Sequence, residues 1–195
     1  MKKLITLFLL SSLILTSCNS KKSEESFSVD TANSKIIWTA YKTTDKVPVQ
    51  GEFKEVKVKD GNGTSIEDAV SNLKFTIPVS SIFTNNTDRD KKILDHFFAV
   101  MINSMSLKGS IHLGENNKAY AQLSLNGVSN KLPLNYEIHQ NVVKLTGLLE
   151  LDQWEAMEAV KSINDACYDL HKGADGVSKT WSEVAIDLSI PVIKK

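Results

Sequence analysis

The chain has 195 residues, 23 of them basic and 23 acidic, and 42% of it is hydrophobic. A balanced charge argues against a nucleic-acid partner, which needs a basic face. The length suffices for one domain with a sizeable core, and two cysteines, Cys18 and Cys167, are too few for a disulfide framework.

The N-terminus opens with Lys2 and Lys3, followed by an apolar run from Leu4 to Leu15 that Thr6, Ser11 and Ser12 interrupt. The run is short of the roughly 20 residues that span a bilayer, so it is expected to be a secretory leader over 1–17. Leu15-Thr16-Ser17-Cys18 resembles the lipobox of bacterial lipoproteins, which implies lipidation of Cys18. Residues 18–26 then form a small, charged tether that cannot bury surface. Loss of the leader takes the basic count from 23 to 21 against 23 acidic, a net charge of −2. With Cys18 lipidated, Cys167 has no partner for a disulfide within the chain.

From Phe27 onward, apolar residues alternate with period two. Ile36, Trp38 and Ala40 form the first such set, and Val56 with Val58 the second. Asp60-Gly61-Asn62-Gly63 is expected to turn the chain as a hairpin. Leu73, Phe75, Ile77 and Val79 follow, with Pro78 marking a strand end or bulge. Further sets are Met105–Leu113, Leu123 with Leu125, Leu132–Ile138, Val143–Leu151 and Val184–Ile190. The pattern predicts an all-β fold of about eight antiparallel strands, closed as a barrel or folded as a sandwich.

Two segments depart from alternation. Asn86–Phe98 places Asp88, Arg89, Asp90, Lys91 and Lys92 ahead of Ile93, Leu94, Phe97 and Phe98. Asp88 or Asp90 is expected to cap a short helix whose apolar face closes one end of the sheet as a lid. Arg89 is expected either to pair with a carboxylate or to meet an anionic head group. The other segment is helical over about 152–172, with Asp152 as cap, Glu155 three residues on, and an apolar stripe of Ala156, Val160, Ile163, Cys167 and Leu170. It is expected to pack across an opening or an outer face, ending at Gly173.

The chain carries neither Gly-x-Ser-x-Gly nor His-Glu-x-x-His, and His96 with Asp88, Asp90 and Asp95 makes no recognised catalytic arrangement. Cys167 and His171 lie one helical turn apart, but Cys167 falls on the apolar stripe, where a thiol behaves as a small hydrophobe. Asp60–Asp68 lacks the glycine of a calcium loop, since Ser65 stands there. The expectation is a protein that is not an enzyme and holds no metal or cofactor. Trp154 and Trp181 are expected to be packing residues.

Two blocks resemble the YceI-like family, lipocalin-like barrels that hold isoprenoid chains. Leu73–Phe98 (LKFTIPVSSIFTNNTDRDKKILDHFF) is similar to its most typical block, and Ala121–Ile138 (AQLSLNGVSNKLPLNYEI) to its second. Phe27–Ala40 and Gly51-Glu52-Phe53 are similar to its opening. The family usually has a His near the end of its first strand, where this chain has Lys42. The 152–181 segment has no counterpart in the family pattern.

The resemblance implies a lipocalin-like antiparallel barrel with an added helical segment, residues 27–195. An apolar ligand of isoprenoid or quinone type would lie among inward side chains, each buried methylene contributing about 0.8 kcal/mol. Trp38, Phe75, Ile77, Phe83, Phe97 and Phe98 are expected to touch it. So are Met105, Leu107, Leu123 and Leu125, with Leu134, Tyr136 and Leu145. Lys42 and Arg89 are the expected head-group contacts. The implied role is transport, storage or sequestration of that lipid at the bacterial envelope, anchored by Cys18 to the outer membrane on its periplasmic or surface face. Related barrels pair, which admits a homodimer. The same composition also suits a filled barrel acting as a protein-interaction or structural envelope module.

Overall fold

A computed structural model describes residues 26–71 and 73–195. The expected leader, lipidated Cys18 and all of the tether but Ser26 lie outside the described residues. No helix among the described residues is long and apolar enough to cross a membrane.

Among the described residues, twelve strands form one antiparallel sheet. In chain order they are β1 (Phe27–Val29), β2 (Lys35–Lys42), β3 (Val47–Phe53), β4 (Lys57–Lys59), β5 (Asn62–Gly63) and β6 (Lys74–Pro78). Then come β7 (Ile82–Phe83), β8 (Ser106–Leu113), β9 (Lys118–Leu125), β10 (Val128–His139), β11 (Val142–Glu150) and β12 (Thr180–Lys194). The hydrogen-bonded path runs β4-β6-β8-β9-β10-β11-β12-β2-β3-β7, while β1 pairs with β12 and β5. The sheet curls into a half-barrel, matching the lipocalin-like expectation.

All eight patterned segments are strands. The four others are short or lack alternation. β3 reads Val-Pro-Val-Gln-Gly-Glu-Phe, in which Pro48 and Gly51 hide the period, yet it pairs with β2 from Lys42↔Val47 to Ile36↔Phe53. Pro78 ends β6 as expected.

The turn expected at Asp60–Gly63 is not a hairpin. Asp60 takes a left-handed φ of 59° and sends the chain into β5, which pairs with β1. A short helix α1 (Ile66–Val70), capped by the Ser65 hydroxyl, follows, and only then does β6 return beside β4. Val70 and Ala69 are fully buried, so the inserted helix plugs that end of the sheet. A second short helix, α2 (Thr87–Ile93), follows β7.

The 152–172 segment also differs from its expected form. Leu151–Trp154 make a 3-10 turn, and the Asp152 carboxylate accepts from Gln153 N at 2.8 Å instead of capping a helix. Glu155 takes φ 53°, breaking the chain direction. Helix α3 runs only Met157–Ala166. The stripe survives this: Ala156, Val160, Ile163 and Cys167 are all buried, whereas Leu170 is exposed. Trp154 is fully buried and donates from Nε1 to Leu123 O at 2.9 Å, which ties the segment to β9.

Candidate functional site: an apolar cavity with a cationic mouth

Inward alternation on β2, β8, β9, β11 and β12 leaves space inside the sheet rather than filling it. Two cavities lie there. The smaller, of about 120 Å³, is lined by Phe75, Ile77, Leu134, Leu73 and neighbours toward the α1 end. The larger, of about 480 Å³, opens at the other end, beneath the lid and α3. Trp38, Phe53, Leu107, Leu123, Leu149 and Ile186 line both, so a single layer of side chains divides them.

Trp38 sits at the centre of this layer. Its cross-strand neighbour is Gly51, and a Cβ there would come within 2.2 Å of Trp38 Cζ2. Only a residue without a side chain lets the indole lie so close to β3. Among the described residues, the buried Trp38 Nε1 has no hydrogen-bond partner.

The lid is α2, continued by a π-helical turn over Leu94–Phe98. Asn86, rather than Asp88 or Asp90, caps α2, accepting from Arg89 N at 2.9 Å. Asp90 instead accepts through its carboxylate from Thr84 N at 2.9 Å and Thr84 Oγ1 at 2.6 Å, fixing the approach from β7. Ile93, Phe97 and Phe98 turn their apolar face to the large cavity, with Phe97 and Phe98 edge to face at 5.2 Å between ring centroids. His96 is exposed and does not line the cavity.

α3 and the chain after it form the facing wall. Val160, Ile163, Cys167 and Leu170 of the apolar stripe line the large cavity. The stripe therefore covers an opening, one of the two placements its periodicity allows. Trp181 also lines this wall, beyond its expected packing role, and donates from Nε1 to Thr43 O at 2.8 Å.

Of the expected ligand contacts, Trp38, Phe75, Ile77, Phe97, Phe98, Leu107, Leu123, Leu125 and Leu134 line one cavity or both. Four do not. Met105 precedes β8 in the turn and is 78% exposed. Phe83 follows the buried Ile82 on a two-residue strand, so alternation points it outward, where Lys54 Nζ sits 4.4 Å from its ring centroid. Tyr136 is half-buried and donates its hydroxyl to Gly114 O at 3.2 Å. Leu145 is fully buried in packed core and touches neither cavity.

Polar residues gather at the mouth of the large cavity. Lys42, Arg89, Lys92 and His171 line it, with Asp88 as the one carboxylate. Lys42 Nζ donates to Leu170 O at 3.0 Å. His171 Nδ1 lies 2.7 Å from Thr180 Oγ1. Burial, then the positive charges of Lys42 and Lys92, push the His171 pKa down from 6.5 to about 4. Lys92 and His171 had no sequence signal, because their position depends on α2 and the post-α3 chain meeting over one opening.

A model of the YceI-like domain matches residues 27–192. Comparison with curated protein sequences gives no match. Among solved structures, a polyisoprenoid-binding domain from Saccharophagus degradans superposes with a TM-score of 0.62 at 13% identity, covering 87% of this chain and 98% of that one. BcnA of Burkholderia cenocepacia gives 0.52 at 16% identity, covering 85% and 99%. A Campylobacter jejuni YceI protein gives 0.52 at 19% identity, covering 75% and 85%. At these identities the likeness is one of fold.

Proposed function

Since the chain belongs to the YceI-like domain family, we propose that it binds an apolar lipid, of isoprenoid or quinone type, inside its curled sheet. The observation that carries this is the cavity of about 480 Å³ between lid and α3, walled by Phe53, Ile93, Phe97, Leu125, Val160 and Ile163. A void of this size in a packed interior forfeits dispersion contacts along its lining, and an apolar chain restores them. The Saccharophagus degradans relative is a polyisoprenoid-binding domain, which supports the same ligand class here.

Binding alone accounts for the site. The protein would carry, store or sequester the lipid, with no bond made or broken. Lys42 and Arg89 stand where a head group would emerge. The leader and Leu15-Thr16-Ser17-Cys18 support anchorage to the bacterial envelope through lipidated Cys18, with the outer membrane as its site. The cavity, which the 152–181 segment helps to wall, favours ligand binding over the filled-barrel alternative.

Organic extraction of the purified protein tests the proposal. A lipid recovered in stoichiometric amount supports it. A protein without lipid that also takes up none from added isoprenoid or quinone contradicts it.

A further inference from the structure

We infer that the mouth of the large cavity selects an apolar chain ending in an anionic oxygen head group, carboxylate or phosphate, over one ending in a neutral group. The inference rests on the cavity reading above and adds the charge class of the ligand.

Three fixed cations, Lys42, Arg89 and Lys92, come from two elements that meet only at this opening: Lys42 ends β2, while Arg89 and Lys92 lie one turn apart on α2. Among the described residues none of the three has a carboxylate within ion-pair distance. Lys42 meets only the Leu170 carbonyl, and Arg89 and Lys92 have no side-chain partner among those residues. Elsewhere Lys46, Lys54, Lys74, Lys91, Lys161 and Lys172 are each paired with a carboxylate. Lys91 is the instructive case. One residue from Lys92, it points away from the cavity and is paired with Asp95. The structural ion pair expected for Arg89 is absent among the described residues.

His171 completes the mouth. Its Nδ1 is engaged by Thr180 Oγ1, and Nε2 has no partner among the described residues. Burial is the main cause of the low pKa of the ring, and the positive charges of Lys42 and Lys92 add to it. Among the described residues, Asp88 is the single opposing charge lining the cavity, against three cations. An anionic oxygen seated there would accept from guanidinium and ammonium donors already facing it, whereas a neutral hydroxyl or carbonyl would leave the field uncompensated. The apolar walls immediately below favour an anion that carries a chain, since a free ion would gain nothing from Phe97, Val160 or Ile163.

Isothermal titration with farnesyl phosphate, palmitate and farnesol separates the outcomes. At low salt, at least one anionic amphiphile is expected to bind tenfold or more tightly than farnesol. The preference should shrink at high salt. Arg89→Gln with Lys92→Gln should reduce the preference several-fold, read as the ratio of anionic-amphiphile to farnesol affinity within the same variant. Preference for palmitate alone assigns a carboxylate head, and for farnesyl phosphate alone a phosphate head. Equal affinity for all three overturns the charge selection and leaves the lipid-binding proposal standing. Failure of all three to bind overturns both.

Discussion

The indole of Trp38 lies across Gly51 on the neighbouring strand, so close that a Cβ on Gly51 would fall 2.2 Å from Trp38 Cζ2. This contact puts the largest side chain of the inner layer between the two cavities. It makes the volume available to a ligand depend on a residue that has no side chain.

Gly51→Ala should therefore act through Trp38. Displacing the indole costs about 1–3 kcal/mol, the usual range for overpacking. Chemical denaturation should show a lower midpoint, and tryptophan fluorescence a shifted environment. Unchanged stability together with unchanged emission would mean that Trp38 is not held by this contact.

Trp154 anchors the α3 segment. It is fully buried, and its Nε1 donates to Leu123 O on a cavity-lining strand. Trp154→Phe deletes the donor and should cost about 1–3 kcal/mol, since the Leu123 carbonyl stays buried without it. Hydrogen exchange should rise in residues 157–166. Global loss of stability without faster local exchange would place the role of Trp154 elsewhere.

His171 gives a pH dependence with a definite sign. Its folded pKa, about 4, is below the ordinary 6.5, so the unfolded chain binds the proton first as pH falls. Its contribution is whole above pH 6.5 and is lost progressively down to about 4. Because the ring is only half buried, solvent screening holds the effect to roughly 1 kcal/mol. His171→Gln should flatten the stability difference between pH 7 and pH 5. Parallel profiles for the two proteins would refute the assignment.

Much of the fold was legible because alternation survives wherever a strand buries one face. Leu107, Leu123, Leu125 and Leu134 announced themselves in this way. Alternation fixes a face but not a depth along the strand, so Leu145 shares the pattern yet ends in packed core. Nor does it survive at strand ends, where Met105 and Phe83 turn outward. β3 stayed hidden because Gly51, the residue that seats Trp38, interrupts its pattern together with Pro48. The cationic mouth was half legible: Lys42 and Arg89 stood out, but Lys92 and His171 join them only through the meeting of α2 with the chain after α3.

Ile163 faces the large cavity from α3 and is 8% exposed. Native mass spectrometry of the wild-type protein beside Ile163→Trp, after incubation with a polyisoprenoid, tests the central claim most directly. The bulkier indole should obstruct the cavity beneath the lid while the protein stays folded by circular dichroism. The account predicts a one-to-one lipid adduct on the wild type that is lost or strongly reduced in the variant. Equal adduct on both proteins, or none on either, would contradict binding within this cavity.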